Sequence, residues 1–233
     1  MEKVIAALWA SPQQNRAAFN AQLLASLPAA LKAAGASKVR LNLRDAAVDP
    51  ANGLIQQWQD PQQDAVVQFW LPSANARFRG AVDAALAAHC GRFAAWLVAE
   101  STIIPNTAHP VPSGSRGWGW SQASFISFRP DLPRVEAIKV WHSHHTRVAI
   151  DTQANFEYVQ NLIVRPLTAD APGYDAFVEE CFPAEAMADP AAFFAAPGDP
   201  VKFQANLATM MDSCGRFIDF ARIDIIPTSQ YDC

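Results

Sequence analysis

The sequence predicts an α+β protein built from two ferredoxin-like βαββαβ repeats that close into a pseudo-dimeric α+β barrel. Three observations carry this. The 233 residues are 51% hydrophobic and 17% charged, enough apolar material for a large core and too little charge for a disordered chain. Cys90-Gly91-Arg92-Phe93 returns as Cys214-Gly215-Arg216-Phe217, 124 residues later, and each copy leads into an apolar run ending Ile-Ile-Pro, at Ile103-Ile104-Pro105 and Ile225-Ile226-Pro227. A repeat of that length is a duplicated domain, since solenoid periods are far shorter. Third, the same order of elements can be read in both halves from hydrophobic period.

In the first half, residues 1–105, the apolar run Lys3 to Trp9 is a strand, and the segment from Asn15 to Ala34, stopped by Gly35, is a helix. A strand at Lys38 to Arg44 precedes a loop rich in Asp, Pro and Gln. A strand at Ala65 to Leu71, a helix at Ala74 to His89 and a strand at Arg92 to Ile103 follow, with Gly91 suited to a left-handed helix C-cap. Residues 106–119, dense in Pro, Gly and Ser, read as a linker.

The second half, residues 120–233, repeats the pattern. Strands are expected at Ala123 to Phe128, Phe156 to Arg165, Asp175 to Phe182 and Arg216 to Ile226, and helices at Leu132 to Ile150 and Val201 to Ser213. Each half would form a four-stranded antiparallel sheet with two helices on one face. The bare faces need cover, and packing them together makes the barrel.

Several classes of partner are excluded. Eighteen basic against twenty-two acidic residues give −4 at pH 7 with no basic stripe, so no nucleic acid is expected. No apolar run reaches the ~18–20 residues of a membrane span, and the N-terminal MEKVIAALWASP reads as a first strand rather than a signal. A cytoplasmic protein is expected. The four cysteines, Cys90, Cys181, Cys214 and Cys233, show no CxxC spacing and signal neither disulfides nor a zinc cage.

Three of the five histidines fall in Trp141-His142-Ser143-His144-His145, inside the first helix of the second half. At ~100° per residue, Ile138, Trp141, His142 and His145 share one stripe, so His142 and His145 face inward and His144 points aside. A partly buried imidazole can act as acid or base near neutral pH. The matching helix of the first half offers only Phe19, Leu23 and Leu27, so the site belongs to the second half alone. On the next strand, Tyr158, Gln160 and Leu162 lie on one face and Glu157, Asn161 and Arg165 on the other. Two inward histidines fall short of the three ligands a catalytic divalent metal normally takes, so no metal is expected unless Glu157 turns to the helix.

Trp141-x-x-x-His145 followed by Tyr158-Val159-Gln160-Asn161 resembles the EthD-like proteins of the dimeric α+β barrel superfamily, over Gln122 to Arg165. The first half lacks both motifs and resembles the family only through the repeat. That resemblance implies that His145 is the family histidine, in a cleft between helices and sheet, and that no metal or other cofactor takes part. Family members include decarboxylases and dehydratases of aromatic polyketides, and related barrels are isomerases and cofactor-free monooxygenases. The expected activity is a cofactor-independent lyase, a decarboxylase or dehydratase of an oxygenated aromatic small molecule. Oxygenation, isomerisation and non-catalytic binding are the alternatives. His145, His142 and Tyr158 are the candidate catalytic residues. Trp141, His144, Phe156, Gln160 and Asn161 would bind substrate, with Arg129 or Arg165 as an anion clamp. A homodimer is compatible with the fold.

Overall fold

The computed structural model describes residues 1–233. In chain order it places β1 (Glu2–Trp9), α1 (Arg16–Ala33), β2 (Ser37–Leu43), β3 (Ala65–Leu71), α2 (Ala76–His89), β4 (Arg92–Ile104) and β5 (Trp120–Phe128). Then come α3 (Arg134–Val140), a π turn (Trp141–His145), α4 (Thr146–Thr152), β6 (Glu157–Pro166), β7 (Ala176–Phe182), α5 (Pro190–Phe193), α6 (Pro200–Gly215) and β8 (Ile218–Asp232). The expected loop after β2 instead holds a 3-10 helix at Ala46–Leu54, and Ala184–Met187 forms another. Asn15, Asn75 and Asp199 each accept a backbone N–H of the first turn and so start α1, α2 and α6.

All eight strands join one closed barrel, β1-β3-β2-β8-β5-β7-β6-β4, with β4 returning to β1. Each half contributes the ferredoxin-like order 4-1-3-2, as β4-β1-β3-β2 and β8-β5-β7-β6. Two antiparallel seams join the halves, β2 to β8 from Arg40↔Asp232 to Leu43↔Ser229, and β4 to β6 from Trp96↔Pro166 to Ile104↔Tyr158. Closure leaves no strand edge unpaired. The pairing that two subunits of a dimeric barrel would supply is made within one chain.

Alternation along each strand sorts the core into layers. In β1, Val4, Ala6 and Leu8 pack with Phe19, Leu23 and Leu27 of α1, while Ile5, Ala7 and Trp9 point into the barrel with Trp96, Phe125 and Phe177. In the second half, Ile126, Phe128, Ala176 and Val178 face Trp141, Ala149, Met210 and Phe217. Gly91 departs from the expected left-handed cap: α2 ends at Cys90 with an extended φ of −144°. A Cβ at Gly91 would stand 2.9 Å from the Ser11 Cα, so close approach of backbone is what requires glycine.

One end of the barrel interior is polar. The fully buried Glu179 of β7 accepts hydrogen bonds from Arg40 Nη1 at 3.0 Å, Gln68 Nε2 at 2.8 Å, Ser121 Oγ at 3.0 Å and Gln230 Nε2 at 3.0 Å, as well as from Asn42 Nδ2. Arg40 also holds Glu157 at 2.7 Å and Asp232 at 2.6 Å. Burial alone would push the Glu179 carboxyl up, but the Arg40 charge and the amide donors hold it below the usual carboxylate range. Removing one partner of a buried pair strands the other charge, which costs about 3–5 kcal/mol. Arg40→Ala is expected to lose stability on that scale in urea unfolding, and a loss under about 1 kcal/mol would mean that water already solvates this network.

Candidate active site

A cavity of about 770 Å³ lies in the second half between the outer face of the sheet and the helices covering it. Its floor is a row of side chains across three strands. Register places Gln122 of β5 beside Glu180 of β7, and Glu180 beside Tyr158 of β6. Trp141 and His145 of the π turn and Met210, Cys214 and Phe217 close it from the helix side. Cys214 and Phe217 belong to the repeated Cys-Gly-Arg-Phe motif. The first half adds Pro50, Gly53, Leu54, Ile55 and Gln56, held in place where Gln56 and Ile225 exchange backbone hydrogen bonds. Exposed Met211 and Phe220 also line it and leave its mouth apolar.

The π turn sets the phase of the histidines. Both the backbone N–H and Oγ1 of Thr146 donate to the Trp141 carbonyl, an i→i+5 closure that widens the turn by one residue. Gln160 Nε2 ties this turn to the strand, donating to Thr146 Oγ1 at 2.9 Å and to the Tyr158 hydroxyl at 2.7 Å. His145 is thereby buried on the cavity wall, its Nδ1 3.0 Å from Ser213 Oγ and its ring 4.9 Å from that of Phe217. His142 is exposed and His144 only half-buried, the reverse of the order read from an uninterrupted α-helix. A wide turn advances less per residue, so His142 leaves the stripe shared by Trp141 and His145.

Of the other expected site residues, Trp141 and Tyr158 line the cavity and the rest do not. Gln160 stands behind the Tyr158 hydroxyl, where it can position but not touch a ligand. Asn161 is buried on the opposite face of β6, with its amide atoms unpartnered. Phe156 packs on Trp118 and His109, at 5.1 and 4.9 Å between ring centroids. Arg129 is tied to Asp131 at 2.6 Å and to the Gly215 carbonyl at 2.9 Å, and Arg165 is exposed. Neither arginine can serve as the anion clamp, and no Lys or Arg lines the cavity. Glu157, turned to the barrel and Arg40, does not join His142 and His145 in a ligand set.

Sequence reasoning missed Glu180. Its carboxyl is buried, with Asn155 Nδ2 donating to Oε1 at 3.0 Å. A signal was available: Glu179-Glu180 interrupts an otherwise apolar strand, and adjacent strand residues point to opposite faces, so both faces of β7 receive a carboxyl. Burial pushes the Glu180 carboxyl up to about 7, opposed only by the Asn155 bond. Burial pulls His145 down to about 4, with His144 adding a smaller effect. Burial, and then the Glu180 charge, push the Tyr158 hydroxyl up and the Cys214 thiol up to about 12. Ser124 Oγ and Gln153 Oε1, both on the cavity wall and buried, have no protein partner.

Residues 129–221, which span the π turn, β6, β7 and α6, match the family model described as EthD domain. Over those residues the chain is similar to the EthD domain. An anthrone oxidase-like protein superposes with a TM-score of 0.55 at 8% identity, over 99% of this chain and 90% of that one. A provisionally assigned chlorite dismutase gives 0.49 at 10% identity, over 100% and 96%. A mutant chlorite dismutase from Candidatus Nitrospira defluvii gives 0.46 at 12%, over 100% and 91%. No curated protein matches the chain by sequence. The fold is the dimeric α+β barrel, with both halves in one chain.

The His145 shift carries a pH dependence. An unfolded histidine titrates near ~6.5, so between there and about 4 the unfolded chain binds the extra proton and stability falls as pH drops. The stability difference between wild type and His145→Gln, measured by urea unfolding at successive pH values, should shrink from pH 7 to pH 4. A pH-independent difference would mean that His145 titrates as if solvated.

Proposed function

We propose that the chain is an enzyme that binds a neutral, oxygenated aromatic molecule in the second-half cavity and eliminates water from it, with His145 as the base. The carrying observation is a large, mainly apolar cavity that holds a neutral imidazole and no cationic side chain. Its volume lies in the range of small-molecule sites. Trp141 and Phe217 offer aromatic surfaces, and the unpartnered Ser124 Oγ and Gln153 Oε1 offer hydrogen bonds to ligand oxygens.

Between the two lyase reactions, this wall favours dehydration. A decarboxylation substrate would bring a carboxylate into an apolar space beside Glu180 with no Arg or Lys to meet it, and an unpaired buried charge is costly. With Nδ1–H donating to Ser213 Oγ, the Nε2 lone pair is left for a substrate proton. Tyr158, kept neutral by burial, is a hydrogen-bond donor to substrate oxygen rather than a base.

Oxygenation is the second reading. The same deprotonation of a phenolic carbon acid creates a carbanion that dioxygen can trap, the cavity is apolar enough to admit dioxygen, and one protein of this fold is anthrone oxidase-like. Dependence of turnover on dioxygen separates the two.

Binding is tested by fluorescence with 1-naphthol and 1-hydroxy-2-naphthoate, which differ by one carboxylate. The neutral probe is expected to bind at least about tenfold more tightly, a difference of 1.4 kcal/mol. Equal or tighter binding of the carboxylate would remove the argument for a neutral substrate. His145→Ala should lower turnover about a hundredfold or more, the scale of a positioned acid or base, with circular dichroism unchanged. A folded variant at the wild-type rate would assign His145 to structure alone.

A further inference from the structure

We infer that Glu180 is the proton donor of this cavity, protonating the departing hydroxyl of a neutral substrate while His145 accepts a proton from the neighbouring carbon. The inference rests on the elimination reading and names the acid that reading lacks.

The geometry comes from the fold itself. Glu179 and Glu180 are adjacent on β7, so one points into the barrel and the other into the cavity. Glu179 meets Arg40 and four further donors. Glu180 has a single amide partner on Oε1, leaving Oε2 without a protein donor. Two carboxyls in such different surroundings are driven to opposite protonation states.

The repeat supplies an independent observation. β3 and β7 are matching seven-residue strands, and their fifth positions are Phe69 and Glu180. In the first half Phe69 pairs with Val4, and both are fully buried against the helices. The row Gln122, Glu180, Tyr158 thus occupies a place where the duplicate packs hydrocarbon. A carboxyl there gains the fold nothing, since burying it without a cation opposes folding.

The groups around Glu180 leave it alone near neutrality. Tyr158 from β6 and Cys214 from α6 remain protonated, His145 from the π turn remains neutral, and Gln122 and Asn155 do not titrate. In the reaction, the carbon–hydrogen electron pair forms the new double bond as His145 Nε2 takes the proton. The carbon–oxygen pair leaves with oxygen, which receives the Glu180 proton and departs as water. The resulting imidazolium and carboxylate recover their starting states by passing one proton through solvent, so no oxidant or reductant is needed. Acid on the sheet wall and base on the helix wall place the substrate between them.

The test uses the full chain with 3-hydroxy-1-tetralone, a neutral β-hydroxy ketone whose dehydration yields fluorescent 1-naphthol. Wild-type kcat should fall as pH rises through about 7. Glu180→Gln should lower kcat about a hundredfold, change KM only a few-fold and abolish that alkaline limb. Thermal unfolding supplies a second readout: E180Q should match wild type at pH 4, where Glu180 is mostly protonated in the folded and the unfolded chain alike, and melt higher at pH 8, where wild type must deprotonate it or hold its proton against solvent. Wild-type turnover in E180Q with the alkaline limb intact, or equal melting differences at both pH values, would overturn the inference. Loss of activity in His145→Ala with none in E180Q would leave the elimination reading standing. No wild-type turnover of the tetralone, despite tight 1-naphthol binding, would overturn both.

Discussion

Glu179 is the fixed point of this structure. Its carboxylate sits inside the barrel with no solvent contact, and its donors come from β2, β3, β5 and β8, so strands of both halves must be in register for it to be satisfied. A one-residue slip of β7 would send Glu179 to the helix face and take its carboxylate away from Arg40 and the four other donors. Much of the polar material at that end of the barrel is thereby committed to specifying how the halves join. Buried ionic networks contribute little net stability over hydrocarbon, and their use as a register device is the better account here.

Fixing β7 also fixes what the cavity contains. Because Glu179 must point inward, Glu180 must point outward, beneath the helices and beside Tyr158 and Gln122. The cations are spent elsewhere: Arg40 on the barrel network, Arg129 on Asp131, Arg134 on Asp175. The cavity therefore holds ionisable groups that burial drives to neutrality, His145 downward and Glu180, Tyr158 and Cys214 upward. An uncharged acid and an uncharged base can coexist there at neutral pH.

Duplication explains why one half can bear such a site. The helix layer of the first half is filled by Phe19, Leu23, Leu27 and Phe69, all fully buried, and supplies ordinary core. It is not a passive copy, however. Its 3-10 segment crosses to wall the cavity, and Asp224 of β8 holds the adjoining chain by accepting from the backbone N–H groups of Trp58 and Gln59.

The sequence by itself determined the architecture: the repeated Cys-Gly-Arg-Phe motif, the period-2 and period-3.6 runs and the Pro-rich connection specify two 4-1-3-2 units, because periodicity is a local property of the chain. It also marked Trp141, His145 and Tyr158 as candidates, which the structure brings to one cavity. Only the tertiary structure decided which histidines join them, since the π turn arises from Thr146 closing on Trp141 and from Gln160 reaching across from a strand. The same holds for Glu180, whose chemistry depends on the cations that are absent around it and on which face Glu179 claims. A carboxyl's protonation state is a property of its surroundings, and those surroundings come from strands far apart in the chain.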